Sequence, residues 1–270
     1  MKPRCISGSG RFSQGSLVTG DLRRRFATMR HTMRSFRLTI THRFDFGNDS
    51  AAVGTDLVGR PEAWDAVRET TGAFAISLNR QSLCERAQSA PELVARAKDI
   101  VDTVRNRGGR SLASYGVGGA VLEANISSSA PWLRLTLTES APRTAARLRE
   151  LFPMAEVITH DLRLDAPLPA DLHLFHRVDT EFSDAVLASI LNRFRFVPVL
   201  LVPTELLGVK GVLRELRTRL VKRNATRAGY VRSEASFYTL WRSSHVASPV
   251  AIGEVRAFLL EPRSPTTVCR

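Results

Sequence analysis

The chain has 270 residues with a hydrophobic fraction of 43%, enough for one large domain or one domain with an N-terminal extension. Its three cysteines, Cys5, Cys84 and Cys269, lie far apart, which excludes a zinc spacing or a disulfide framework and suits a reducing compartment. The longest apolar run, near Val197–Val202, is far short of the roughly 20 residues a bilayer span needs. With no signal-peptide core near the N-terminus either, the sequence reads as a soluble, cytoplasmic protein with no metal site and no membrane partner.

The net charge of +13 is unevenly spread. Residues 1–45 hold ten basic side chains against two acids, Asp21 and Asp45, and so form a basic extension expected to be weakly ordered. The same composition suits a nucleic-acid-binding arm, a targeting sequence, or an over-extended start with Met29 and Met33 as alternative initiators.

An alternating stretch from Phe36 to Phe46 reads as one strand. Gly54, Gly59 and Pro61 mark a loop, and Pro61-Glu62 opens a helix through Thr70. A second helix is expected through Leu78–Ala87, so that 46–88 forms an accessory helical region, a lid or a subdomain over the main fold. Pro91-Glu92 then opens a helix whose apolar positions are Leu93, Ala97, Ile100, Val101 and Val104. Gly108-Gly109 ends it.

Strand Arg110–Tyr115 enters Gly116–Ala120, followed by helix Val121–Ile126. Strand Leu133–Thr138, helix Pro142–Leu151 and strands Glu156–Thr159 and Asp171–His176 come next. Helix Ser183–Phe194, strand Phe196–Val202, helix Ser233–Trp241 and strand Val255–Leu260 complete the pattern. Short apolar strands alternating with amphipathic helices predict an α/β, doubly wound, mostly parallel sheet over residues 89–262, with helices on both faces.

The segment Ser111–Glu123 resembles motif I of the class I S-adenosylmethionine-dependent methyltransferases. A glycine-rich loop lets the backbone approach a cofactor closely, and the next helix presents its N-terminus to the ligand. Gly116 and Gly118 stand at family glycine positions, and Ala120 replaces a third. Ser114 and Tyr115 stand where the family prefers an acid before the first glycine. Glu139 follows Gly116 by 23 residues, at the end of the second strand, where an acid accepts hydrogen bonds from ribose hydroxyls. Asp161 follows the third strand at a position that often contacts adenine, and Ala170–Asp179 resembles the fourth strand bordering the transfer site.

This resemblance implies a Rossmann-like methyltransferase fold with a seven-stranded sheet and S-adenosylmethionine as cofactor. The cofactor residues it implies are Tyr115, Gly116, Gly118, Gly119, Glu139, Ser140, Asp161, Leu162 and His176. His176 and Asp179 are the catalytic candidates, since methyl transfer needs a positioned nucleophile and sometimes a proton acceptor; Glu181 is an alternative base. A nicotinamide-binding fingerprint would need a small residue at Val121. The Asn-Pro-Pro-Tyr type signature and a strand-end cysteine are both missing.

The expected substrate is a small molecule. One alternative is an RNA methyltransferase using the basic 209–232 face, where a helix would group Lys210, Arg214 and Arg217 on one side and Arg219, Lys222 and Arg223 on another. Apart from Tyr230 near its end, no aromatic residue accompanies these basic side chains for base stacking. The other alternative is a non-catalytic, methyltransferase-like binding protein, suggested by the missing acid before Gly116. The sequence does not indicate an oligomeric state.

Overall fold

Apolar runs separated by amphipathic helices produce one central sheet. The computed structural model describes residues 36–42, 61–69, 75–208, 210–213, 217 and 229–263. Most of the basic extension and most of the basic helix expected at 209–232 therefore lie outside the described residues. The described residues from Arg37 onward form one compact unit.

Strand β1 (Thr39–His42) and helices α1 (Pro61–Arg68) and α2 (Arg80–Gln88) precede helix α3 (Pro91–Asn106). The alternation then runs β2 (Ser111–Tyr115), α4 (Val121–Ser129), β3 (Arg134–Glu139), α5 (Pro142–Leu151), β4 (Glu156–Thr159), β5 (Leu172–His176), α6 (Asp184–Arg193) and β6 (Val199–Val202). It closes with β7 (Gly229–Arg232), α7 (Glu234–Trp241), β8 (His245–Ile252) and β9 (Val255–Pro262).

Seven strands form the main sheet in the order β4-β3-β2-β5-β6-β9-β8. The first five pair in parallel, while β9 runs antiparallel between β6 and β8. Every residue of β2 and β6 is buried, as a strand covered on both faces must be. Ile100, Val104, Ile126 and Leu148 of α3, α4 and α5 pack on one face, against Leu112, Leu137 and Leu200. Leu187, Ile190, Phe237 and Trp241 of α6 and α7 cover the other, against Phe175 and Leu201. Asp171 sets the register at the start of β5: one carboxylate oxygen accepts from Arg110 N, Ser111 N and Ser111 Oγ at 2.7, 2.9 and 2.7 Å.

The chain leaves β2 toward β3 and leaves β5 toward β6, on opposite sides of the sheet. Between the carboxyl ends of β2 and β5 lies the switch point where open α/β sheets form a ligand crevice.

The two helices of the accessory region dock over that crevice's flank. Buried Asp65 of α1 accepts hydrogen bonds from Arg143 N (3.1 Å), Thr144 N (2.8 Å) and Thr144 Oγ1 (2.8 Å) at the start of α5. Helix α5 has no side-chain cap of its own, so Asp65 supplies one from α1 and its charge suits the helix N-terminus. Helix α2 packs on α4, where Asn125 Nδ2 donates to Ala87 O at 3.2 Å.

Strands β1 and β7 pair antiparallel outside the main sheet. Fully buried Arg232 of β7 fastens this ribbon beneath the crevice. Its Nε donates to Asp184 Oδ1 at 2.7 Å, and its two terminal nitrogens donate to the carbonyls of Asp179 and Phe182. Among the described residues no helix is long and apolar enough to cross a membrane.

Candidate active site

The loop after β2 turns through three left-handed residues, Gly116 (φ 65°), Gly118 (φ 54°) and Ala120 (φ 55°). Gly116 also needs its missing side chain, because a Cβ there would lie 3.0 Å from Val178 Cγ1. A Cβ on Gly118 would lie 2.4 Å from the Arg68 guanidinium, which reaches across the loop from α1. Ala120 holds the same conformation at a cost of about 1 kcal/mol.

Glu139, at the carboxyl end of β3, faces this loop and is buried. One carboxylate oxygen accepts from Gly118 N at 3.2 Å, and the other accepts from Ser140 N at 2.8 Å and Ala141 N at 3.3 Å. Two adjoining spaces open here. A cleft of about 40 Å³ is lined by Gly116, Glu139, Ser140, Asp161 and Leu162 together with Trp64, Arg68 and His160. A cavity of about 630 Å³ is lined by Gly116, Gly118, Gly119 and His176 together with Glu123, Arg177, Thr180 and Thr204. Trp64, Arg68, Gly116 and Glu181 border both. Eight of the nine residues implied to bind cofactor, the first catalytic candidate His176 among them, thus come together around one loop.

Two sequence expectations are corrected. Tyr115 does not line either space. The alternation of β2 turns its ring to the α6 and α7 face, where it packs edge-on to His160, Phe175 and Phe194. Its hydroxyl pairs with His173 Nδ1 at 3.1 Å and accepts from Leu168 N at 3.1 Å, and burial pushes it up to about 12. Asp179 is fully buried and lines neither space. It accepts from Thr204 N at 3.0 Å and Thr204 Oγ1 at 3.2 Å, so it organises the turn after β5, and burial pushes its carboxyl up to about 6.

Asp161 borders the cleft, but its carboxylate is engaged. Arg163 donates to it from its amide and its Nε, each at 2.9 Å, and from its terminal nitrogen. Burial acts to raise this carboxyl, and the Arg163 contacts outweigh it, holding it below the ordinary range.

His176 stands at the end of β5 as expected, with Nε2 3.5 Å from Arg96 Nη1. Burial, then the charges of Arg177 and Arg96, push the imidazole down to about 3. A proton taken by His176 would sit against two guanidiniums, which makes it a poor general base.

Glu181, the alternative base, borders both spaces, and several residues beside it were not singled out from the sequence. Burial, reinforced by the Glu139 carboxyl, pushes Glu181 up to about 8, with Arg68 opposing. Buried Glu123, in the first turn of α4, accepts from Ser114 Oγ at 2.7 Å, and burial raises it to about 7. Trp64 and Arg68 come from α1, the Arg68 guanidinium lying 5.0 Å from the Trp64 ring centre. His160 Nδ1 is buried beside the cleft with no hydrogen-bond partner. Only Glu123 left a local signal, an acid inside the quoted motif on a helix's inner face. Among the described residues no cluster of three or more His, Cys, Asp or Glu is placed to hold a metal ion.

No family model matches the sequence, and no curated protein matches it. Solved structures do. Human N-acetylserotonin methyltransferase in complex with S-adenosylmethionine superposes with a TM-score of 0.51 at 15% identity, covering 92% of this chain and 68% of that one. PigF with S-adenosylhomocysteine gives 0.52 at 16% identity over 77% and 69%. The mitomycin 7-O-methyltransferase MmcR gives 0.46 at 22% identity over 63% and 54%, so the chain spans about half the length of that protein. The strand order and the superpositions on the human enzyme and on PigF identify the fold as the Rossmann-like fold of class I S-adenosylmethionine-dependent methyltransferases.

Proposed function

We propose that this chain is an S-adenosylmethionine-dependent methyltransferase acting on a small molecule. One observation carries the reading: Glu139 stands at the end of β3 with its carboxylate against the amide of Gly118, at the switch point of the sheet. The residues present fit the cofactor. The Gly116–Gly118 backbone offers a face without side chains, and Glu139, whose Oε2 accepts only from Gly118 N, would offer that oxygen to a ribose hydroxyl. His160 and the backbone around Asp161 border the base end. S-adenosylmethionine supplies an electrophilic methyl group on a sulfonium.

The rest of the reaction falls to the chain's own side chains, which bind and orient the acceptor in the larger cavity and shield it from water. Its volume of about 630 Å³ lies within the ordinary range for small-molecule sites. The smaller cleft, about 40 Å³, holds only about three waters, so a purine requires Trp64 or Arg68 to move. Helix α1 is therefore the lid in this reading. Cys84, exposed and free, suits the reducing cytoplasm expected from the sequence.

Calorimetry with S-adenosylmethionine and S-adenosylhomocysteine tests the proposal, using wild type and Glu139→Ala. Micromolar binding that the substitution weakens tenfold or more, at least about 1.4 kcal/mol, is the expected result. A well-folded wild type that binds neither compound would overturn it and leave a methyltransferase-like scaffold.

A further inference from the structure

At the carboxyl end of β5, two arginines gather beside His176. Arg96 reaches in from α3 to His176, and Arg177 follows His176 in the chain. The Arg96 Nε is buried with no hydrogen-bond partner. Glu92 and Glu254 act on Arg96 from a distance, but among the described residues neither Arg96 nor Arg177 forms a salt bridge with a carboxylate.

The fold is shaped to place this group. A Cβ at Gly253, in the turn between β8 and β9, would lie 3.0 Å from Arg96 Cγ, so the hairpin leaves room for the arginine stem. Gly253 N also donates to Asp99 Oδ2 at 2.7 Å, tying α3 to that hairpin. Arg177 adopts φ 63°, a left-handed conformation that costs a non-glycine residue about 1–2 kcal/mol. Strain of this kind persists where the surrounding structure holds a residue for a task.

The Arg96 guanidinium, partly buried beside His176 and Arg177 with its Nε unpaired, is costly to hold there. A bound anion would offset that cost. His176 and Arg177 face the larger cavity beside the glycine loop, where the acceptor would sit. We propose that Arg96, His176 and Arg177 form an oxyanion subsite, and that the methyl acceptor is a small organic anion, a carboxylate or an acidic phenol. This deepens the methyltransferase reading and rests on it. Guanidiniums at that position favour the ionised form of an acceptor oxygen. An oxygen that arrives ionised carries its own lone pair, so no side chain has to take its proton. The weak basicity of His176 then becomes consistent with its position.

The experiment compares benzoate with benzamide, matched in size and different in charge, by calorimetry on the full chain, with S-adenosylhomocysteine titrated in parallel. Benzoate is expected to bind at least tenfold tighter than benzamide. Arg96→Gln and Arg177→Asn are each expected to weaken benzoate at least fivefold while leaving S-adenosylhomocysteine within twofold; asparagine tolerates the left-handed backbone. Circular dichroism checks that both variants fold. Equal affinity for the two probes, or binding of neither by a wild type that binds S-adenosylhomocysteine, overturns the subsite. Loss of S-adenosylhomocysteine binding in folded variants also overturns it, reassigning the cluster to the cofactor's own carboxylate. Benzoate preference without any S-adenosylhomocysteine binding upholds the anion site and removes the methyltransferase reading instead.

Discussion

Glu123→Gln exchanges a buried carboxyl for its isostere at a position only 3% exposed, beneath the glycine loop. Either side chain can accept the Ser114 hydroxyl now bonded to Glu123 Oε1 at 2.7 Å, so packing and that hydrogen bond are retained. What changes is the cost of ionisation. Burial raises the Glu123 carboxyl from 4.5 to about 7, so the folded protein holds a proton there that the unfolded chain has already released. For an acid raised on folding, the stability is fully present below the unfolded value and is lost as pH rises through the folded one. At 1.36 kcal/mol per unit, wild type loses about 3 kcal/mol across that window.

Glutamine has no proton to lose, so the stability gap between variant and wild type should depend on pH. Urea unfolding followed by circular dichroism at about pH 5 and about pH 8 should show the variant gaining about 2–3 kcal/mol on wild type between the two conditions. Other groups titrate alike in both proteins and cancel in this comparison, Glu181 among them. A gap independent of pH would refute the reasoning. It would mean that Glu123 is ionised in the fold, compensated by a guanidinium of the same cavity such as Arg68 or Arg86.

Two further substitutions check the frame of the site. Arg232→Ala removes a fully buried cation and strands the carbonyls of Asp179 and Phe182; urea unfolding should show a loss of about 3–5 kcal/mol. Tyr115→Phe leaves Leu168 N and His173 Nδ1 without their hydroxyl partner in the core, costing about 1–3 kcal/mol. The same Tyr115 variant should bind S-adenosylhomocysteine as wild type does, and a tenfold weaker affinity would place the ring in the cofactor site after all.

The parallel half of the sheet was legible because strands buried on both faces must be apolar along their whole length. Helix α5 and strand β4 begin and end where the residue pattern places them. Two other strands escaped for separate reasons. Strand β8 contains Pro249 and alternates irregularly between exposed and buried residues, which argues against a central strand. It is an edge strand, paired only with β9, and an edge accepts proline. Strand β7 sits at the end of a basic stretch, and its partner β1 lies far upstream, so no local pattern announces the pair. In the site, Gly116, Gly118 and Glu139 could be read because their spacing follows from the strand-turn-helix geometry. Trp64, Arg68 and Arg96 could not, because separate helices bring them in.

Motif I shows how a local departure can mislead. The sequence lacks an acid before Gly116, and that gap prompted the reading of a non-catalytic, methyltransferase-like protein. In the structure the strand position holds Ser114, whose hydroxyl meets the Glu123 carboxyl arriving from α4. The carboxyl is therefore still at the loop, carried by the helix that follows the glycines rather than by the strand that precedes them. Its environment differs from that of an exposed acid: burial raises it to about 7, so that it is poised between its neutral and ionised forms near neutral pH. A cationic ligand in the adjoining cavity would favour its ionised form, and stability that Glu123 costs the empty protein would then be recovered on binding. The missing acid by itself no longer favours a non-catalytic protein. Coupling between cofactor binding and the Glu123 proton, read as proton uptake or release in calorimetry across buffers of different ionisation enthalpy, separates the two readings. Release on binding of S-adenosylmethionine, abolished in Glu123→Gln, is the outcome this argument requires; binding with no proton change would sink it.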